Sequence, residues 1–356
     1  MNAPNDIRAM LVESATRLLS DHVDQKILDA AKREGWSEKL WDTLERAELS
    51  RISIPEEAGG AGGTLSDFAA VLRVAGRFAA PVPLAETAML AGWMLAASGL
   101  TVPRGALTAG PTHDELVSAR RDGDLWLVSG TLSRIPWARV AKRVVLLAQS
   151  ESGGVVVSVD SDRCRIRPGC NLANEPRDDV ILDNVLPDMA APAGAGVTRS
   201  TLKMRGALAR ALMMAGALER ALELSVQYAQ QRVQFGRKIG QFQAIQQEIA
   251  RFGGEVAAAV AAALSAAGAV ERGGDVTLAV ASAKIRTAEA AHEGALIAHQ
   301  VHGAIGVTNE YALHHSTLRL WAWREEYGNE AEWATALGGI TQKRGADRFW
   351  PTLTAN

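Results

Sequence analysis

The sequence predicts an α+β fold that is mainly α. An N-terminal helical domain spans residues 1–103, a small antiparallel β domain 104–192, and a C-terminal antiparallel helix bundle 193–356. Proline placement is the first ground: of twelve prolines, none lies between Pro192 and Pro351. Proline costs about 3 kcal/mol inside a helix, so that long tail reads as helices. The second ground is the middle third, where β-branched runs alternate with turns rich in Gly and Asp.

In chain order, Ile7, Met10, Leu11, Ser14 and Leu18 mark the first helical face. The turn from Ile54 to Gly63 is glycine-rich. It lacks a preceding strand and a following Lys-Ser/Thr, so it is no phosphate loop. Asp122-Gly123-Asp124 joins two short runs as a hairpin. Arg143 to Gln149 and Val155 to Val159 form a second hairpin, and Asp179 to Val185 a further strand. In the tail, Leu208, Leu212, Ala215 and Leu218 stripe one helix. Ile245, Ile249, Phe252, Val256, Val260 and Leu264 stripe the next. Gly273 and Gly274 make a turn, with Asp275 as N-cap of a third helix that carries Ala288, Ala291, Ala295 and Ala298.

The 356 residues carry 38 Lys plus Arg and 40 Asp plus Glu, net −2, which provides no field for nucleic acid. Cys164 and Cys170 are too few for a disulfide framework. Asp6, Arg8 and Glu13 break any apolar leader. The apolar run Val256 to Val270 is shorter than the roughly 20 residues of a membrane span. The expectation is a soluble, cytoplasmic protein with no membrane span.

Chemistry concentrates between Tyr228 and Gln243, a helix end, a basic turn and a new helix. Arg232 can fork onto a pyrophosphate, Phe235 offers a face to a base, and Gly236 allows close backbone approach. Tyr228, Arg232, Phe235, Gly236, Ile239, Phe242 and Gln243 also match, without a gap, the Y-x-x-x-R-x-x-F-G-x-x-I-x-x-F/H-Q run of acyl-CoA dehydrogenases. Gln300-Val-His-Gly303-Ala304-Ile-Gly306 to Glu310 resembles that family's Q-x-x-G-G-x-G-x-x-x-E. Pro55 to Gly63 resembles its P-E-x-x-G-G-x-G turn. The likeness is strongest over 205–330 and weak in the β domain.

The resemblance implies FAD as cofactor, an acyl-CoA thioester as substrate, and an electron-transfer flavoprotein or similar acceptor. Carried over, Arg232 meets the pyrophosphate with Gln234, Phe235 and Gly236 beside the ADP half. Phe242, Gln243 and Ile245 continue that wall, and Asn329 takes the place of the usual Thr. Gln300, Val301, Gly303 and Ala304 approach the cofactor from another subunit, Ala304 standing where the family has a second glycine. The family's catalytic carboxylate is missing from both customary seats, which hold Tyr327 and Gly206. A phenol is about three pK units too weak a base at pH 7.

Steroid-degradation members of the family pair unequal subunits, one without the glutamate, and the run from Gln300 to His315 resembles that kind. The expected assembly is a homo-dimer or a hetero-tetramer with a paralogous subunit. Two alternatives stand: a self-sufficient homo-oligomeric dehydrogenase using Glu326 through a register shift or an unrecognised carboxylate, and a structural partner that has lost flavin. Trp137 reads as core rather than flavin contact. His299, His302, His314 and His315 read as packing or flavin-edge residues with no metal set. Arg324 to Glu326 reads as a solvated helix end.

Overall fold

The computed structural model describes residues 4–354. Its N-terminal region packs α1 (Pro4–His22), α2 (Gln25–Glu34), α3 (Glu38–Arg46) and α4 (Leu65–Arg77). A π-helical stretch, Glu86–Gly92, follows and leads directly into α5 (Trp93–Ala97). Side chains set the helix starts. Asp24 accepts the Ile27 N–H at 2.8 Å, and Thr64 and Asp67 form a reciprocal capping box. The glycine-rich turn is tied internally, because buried Arg51 donates to the carbonyls of Gly59, Val102 and Pro103.

The sheet region comprises β1 (Leu107–Gly110), β2 (Ser118–Asp122), β3 (Leu125–Pro136), β4 (Arg143–Ser150), β5 (Gly153–Asp160), β6 (Arg165–Arg167), β7 (Arg177–Val185) and β8 (Met189–Pro192). Its order is β6-β7-β3-β2-β4-β5-β8, with β1 beside β4. Most pairs are antiparallel; β1 and the first residue of β2 pair parallel with β4. Both expected hairpins are present, β2–β3 and β4–β5. Val128, Leu132, Val144, Leu146 and Val157 build a core separate from the helical one.

The remaining helices are α6 (Arg199–Gln231), α7 (Gln243–Arg272), α8 (Thr277–His302), α9 (Leu313–Glu325), α10 (Glu330–Arg344) and α11 (Ala346–Thr354). Two short strands, β9 (Val233–Gln234) and β10 (Arg237–Lys238), sit between α6 and α7. Helices α4 and α6 meet backbone to backbone: a Cβ on Gly216 would lie 1.9 Å from the Arg73 carbonyl oxygen. On α8, Ala288, Ala291, Ala295 and Ala298 are fully buried. The N-cap position of α8 is Val276 rather than the expected Asp275, which lies one residue earlier and accepts the Thr277 N–H at 3.1 Å.

Helix α7 departs from expectation. The whole helix, longer than the run Val256 to Val270, is long and apolar enough to cross a membrane by length and composition. It packs instead on α6 and α8 through Phe252, Val256, Ala259 and Ala263. Only 28% of its most apolar window is buried within this chain, and Leu264 of the predicted stripe is 36% exposed.

Candidate functional site

Two regions carry the predicted residues. The first is the turn after α9. Tyr327 has φ +56° and Gly328 φ +92°, which turns the tyrosine inward, where it is 5% exposed. Its ring lies on Gly206 of α6. A Cβ there would sit 2.2 Å from Tyr327 Cδ1, so only glycine fits beneath the ring. The two positions at which the resemblance expects a base are thus one contact. The Tyr327 hydroxyl is buried without a hydrogen-bond partner, and burial raises its pKa further above that of a free phenol. The turn is pinned by Trp333 Nε1 donating to the Tyr327 carbonyl (3.0 Å) and by Lys284 Nζ donating to the carbonyls of Arg324 (2.6 Å) and Gly328 (2.7 Å). Burial lowers the Lys284 pKa to about 7.

The reading of Arg324 to Glu326 as a solvated end is overturned. Glu325 is exposed, and Arg324 is half-buried and pairs with Glu330. Glu326 points inward, accepting from Arg177 (2.7 and 3.0 Å), Arg210 (2.5 Å) and Asn171 (3.1 Å). Arg210 also donates to Glu86 at 2.6 Å, and Arg177 to Glu175 at 3.1 Å. Glu175 further receives Arg319 and Trp323 Nε1. Three carboxylates therefore meet three guanidiniums in a nearly dry network, with Arg210 0% and Glu86 1% exposed.

Burial alone would raise the Glu326 pKa, but Arg177 and Arg210 more than offset it and hold it at about 2. Its folded value lies below its ordinary 4.5, so its stabilisation is complete above that pH and lost as pH falls toward about 2. Glu326→Gln is expected to melt below wild type at pH 7. It should also show a shallower fall in Tm on acidification across that window.

Sequence reasoning missed this network. The available signal was a lone charge inside an apolar helical run: Glu86 within Leu84 to Leu90, and Arg210 within Ala207 to Leu212. Such a charge has to find a partner.

The second region is the helix corner. It is a hairpin rather than a bare turn: β9 and β10 pair with Gln234 opposite Arg237, and the tip residues Phe235 and Gly236 have φ +52° and +78°. Positive φ at both central residues suits the right-handed strand twist. The tip projects, with Phe235 91% exposed and no atom within 4 Å of a Cβ on Gly236. Phe242 stands edge-on to Phe235 at 6.2 Å, and Arg237 lies 4.1 Å over the Phe242 ring. The Arg232 guanidinium is exposed and has no ionic or hydrogen-bond partner among the described residues. Gln234 and Gln243 are exposed, and Ile245 is half-buried against the bundle.

At the end of α8, Gln300, Gly303 and Ala304 face solvent, with Gly303 at φ +62° capping the helix. Tyr228, from the first motif, stacks on His302 at 4.7 Å and so ties this segment to α6. Two predicted contact residues are already engaged within the chain. Val301 is 5% exposed in the core, and the Asn329 side chain caps α10 by accepting the Glu332 N–H at 3.0 Å. Trp137 is core, 2% exposed, with the Arg177 guanidinium 5.9 Å from its ring.

The acyl-CoA dehydrogenase N-terminal domain family matches residues 5–101, and the C-terminal domain family matches 193–328. Acyl-CoA dehydrogenase IpdE2 of Mycobacterium tuberculosis is 32% identical over 319 residues, 87% of this chain and 90% of that one. This chain belongs to the acyl-CoA dehydrogenase family. Among solved structures, the ChsE4–ChsE5 complex from Mycobacterium tuberculosis superposes with a TM-score of 0.88 at 23% identity, covering 97% of this chain and 99% of the other. A variant of the Tcur3481–Tcur3483 steroid ACAD gives 0.85 at 26%, covering 96% and 99%. The helix–sheet–helix order is the fold of this acyl-CoA dehydrogenase as it is of those two.

Proposed function

We propose that this acyl-CoA dehydrogenase is the FAD-binding subunit of a heteromeric enzyme whose catalytic carboxylate comes from a paralogous subunit. The observation that carries the reading is the Tyr327 ring seated on Gly206, which fills both customary positions of the base. Two structural neighbours support it by their names, one a complex of two chains and the other a steroid ACAD. A bulky acyl-CoA such as a steroid thioester is the proposed substrate. An electron-transfer flavoprotein or similar acceptor is the proposed partner in turnover.

The corner fits an anionic dinucleotide. Unpaired Arg232 can fork onto a pyrophosphate, Arg237 and Lys238 add positive potential, and the exposed Phe235 ring offers a stacking face. Gln234, Gly236, Phe242 and Gln243 flank it. Gln300, Gly303 and Ala304 are the outward residues left to meet the cofactor of an adjoining subunit. When bound, FAD supplies the hydride acceptor for α,β-dehydrogenation. What this chain adds is orientation of the ADP half, while the α proton leaves to a carboxylate of the paralogous subunit.

One form of the self-sufficient alternative uses Glu326 as base. With a pKa of about 2 and both oxygens held by arginines, it is too weak and too immobile for that task.

Co-expression with a paralogous subunit tests the proposal. The complex is expected to be yellow, bleach with acyl-CoA and reduce an acceptor, while the chain alone does not turn over. Arg232→Ala should lower the FAD content of the complex. Tyr327→Phe, which removes a hydroxyl without a partner, should leave turnover unchanged and raise Tm slightly. Turnover by the chain alone would overturn the proposal in favour of Glu326 or another internal carboxylate. A complex without FAD would leave only a structural role.

A further inference from the structure

We propose that Asp29, His314 and His315 form a zinc site that joins α2 to α9. The three side chains bring one ligand atom each to within 4.8 Å of one another. His315 is 2% exposed, and neither of its ring nitrogens has a hydrogen-bond partner. Its Nε2 lies 3.8 Å from Asp29 Oδ1. His314 donates Nδ1–H to the Tyr311 carbonyl at 2.8 Å, which fixes the tautomer and leaves the Nε2 lone pair facing the cluster. A backbone carbonyl holding the far nitrogen is the usual outer partner of a ligating imidazole.

The cluster already holds a cation of another kind. The Lys32 ammonium lies 2.9 Å from His314 Nε2 and 3.1 Å from Asp29 Oδ1. Two neutral imidazoles and a carboxylate form a donor set suited to zinc at about 2.0–2.2 Å, with a fourth position for water. Closing on the ion requires the ligands to draw together by about 1 Å, given the spacing zinc imposes. Asp29 is 39% exposed at its side chain and free to turn, and Lys32, also at the surface edge, can swing out. Zinc and the Lys32 ammonium therefore compete for the same lone pairs.

The test titrates zinc into the purified full-length chain against a zinc indicator dye, with cobalt as the spectroscopic probe. One equivalent is expected to bind, with the visible bands of four-coordinate cobalt, and zinc should raise Tm. Asp29→Asn, a change at a partly exposed position, should weaken binding at least about tenfold, as should His314→Gln. Lys32→Gln should tighten it by removing the competitor. His315 is the more deeply buried of the two histidines, so these three variants carry the test, each checked for wild-type circular dichroism. Absence of binding at micromolar zinc overturns the proposal, and so does binding that Asp29→Asn and His314→Gln leave unchanged.

Discussion

Gly206→Ala is expected to destabilise this acyl-CoA dehydrogenase by about 1–3 kcal/mol or more, the range for overpacking a filled core. Intrinsic helix propensity argues the opposite, since alanine is better than glycine inside a helix by about 1 kcal/mol. Space decides the sign. The new methyl would lie 2.2–2.5 Å from three atoms of the Tyr327 ring, and the ring cannot simply turn aside. Its backbone is held at φ +56° by the Trp333 and Lys284 hydrogen bonds on either side. Denaturant unfolding checks the value. Adding Tyr327→Ala should recover part of the loss, because the two substitutions share one contact and are not additive. A Gly206→Ala protein more stable than wild type would show that the ring does not occupy that seat.

Arg210→Met is expected to cost about 3–5 kcal/mol, the usual loss when one member of a buried ion pair is removed. Arg210 is the hydrogen-bond partner of Glu86, and Glu86 is 1% exposed, so the substitution strands a carboxylate without solvent. Glu326 suffers less because Arg177 and Asn171 still hold it. The double variant Glu86→Gln with Arg210→Met should therefore unfold at a higher denaturant concentration than Arg210→Met alone. If the two proteins unfold together, the stranded Glu86 is not the source of the cost.

Much of this fold was legible in the sequence because its signals are local. The proline-free tail, the four-residue stripe through Phe252 and Val256, and the Asp-Gly-Asp hairpin each depend on neighbours a few residues away. The corner was legible in residue types, Arg232, Phe235 and Gly236, but not in shape. That a phenylalanine takes positive φ at a hairpin tip follows from the pairing of β9 with β10. Glu326 was misplaced because an Arg-Glu-Glu run at a helix end looks solvated. Its burial is decided by Arg177 and Arg210, which lie more than a hundred residues earlier. Asp29 and His314 are as remote from each other in sequence, so histidine spacing along the chain could not bring them together. Asn329 and Val301 matched a motif by position, while a helix start and a packed core claim their side chains.

The chain from Glu86 through Arg210 and Glu326 to Arg177 and Glu175 has a mechanical consequence. Its members come from the first helical region, the sheet and the last helices, so no one of these can detach without baring a charge in a dry interior. Heat should accordingly melt all three at one temperature. A fragment cut at either seam would leave its ionic half-partners in the open.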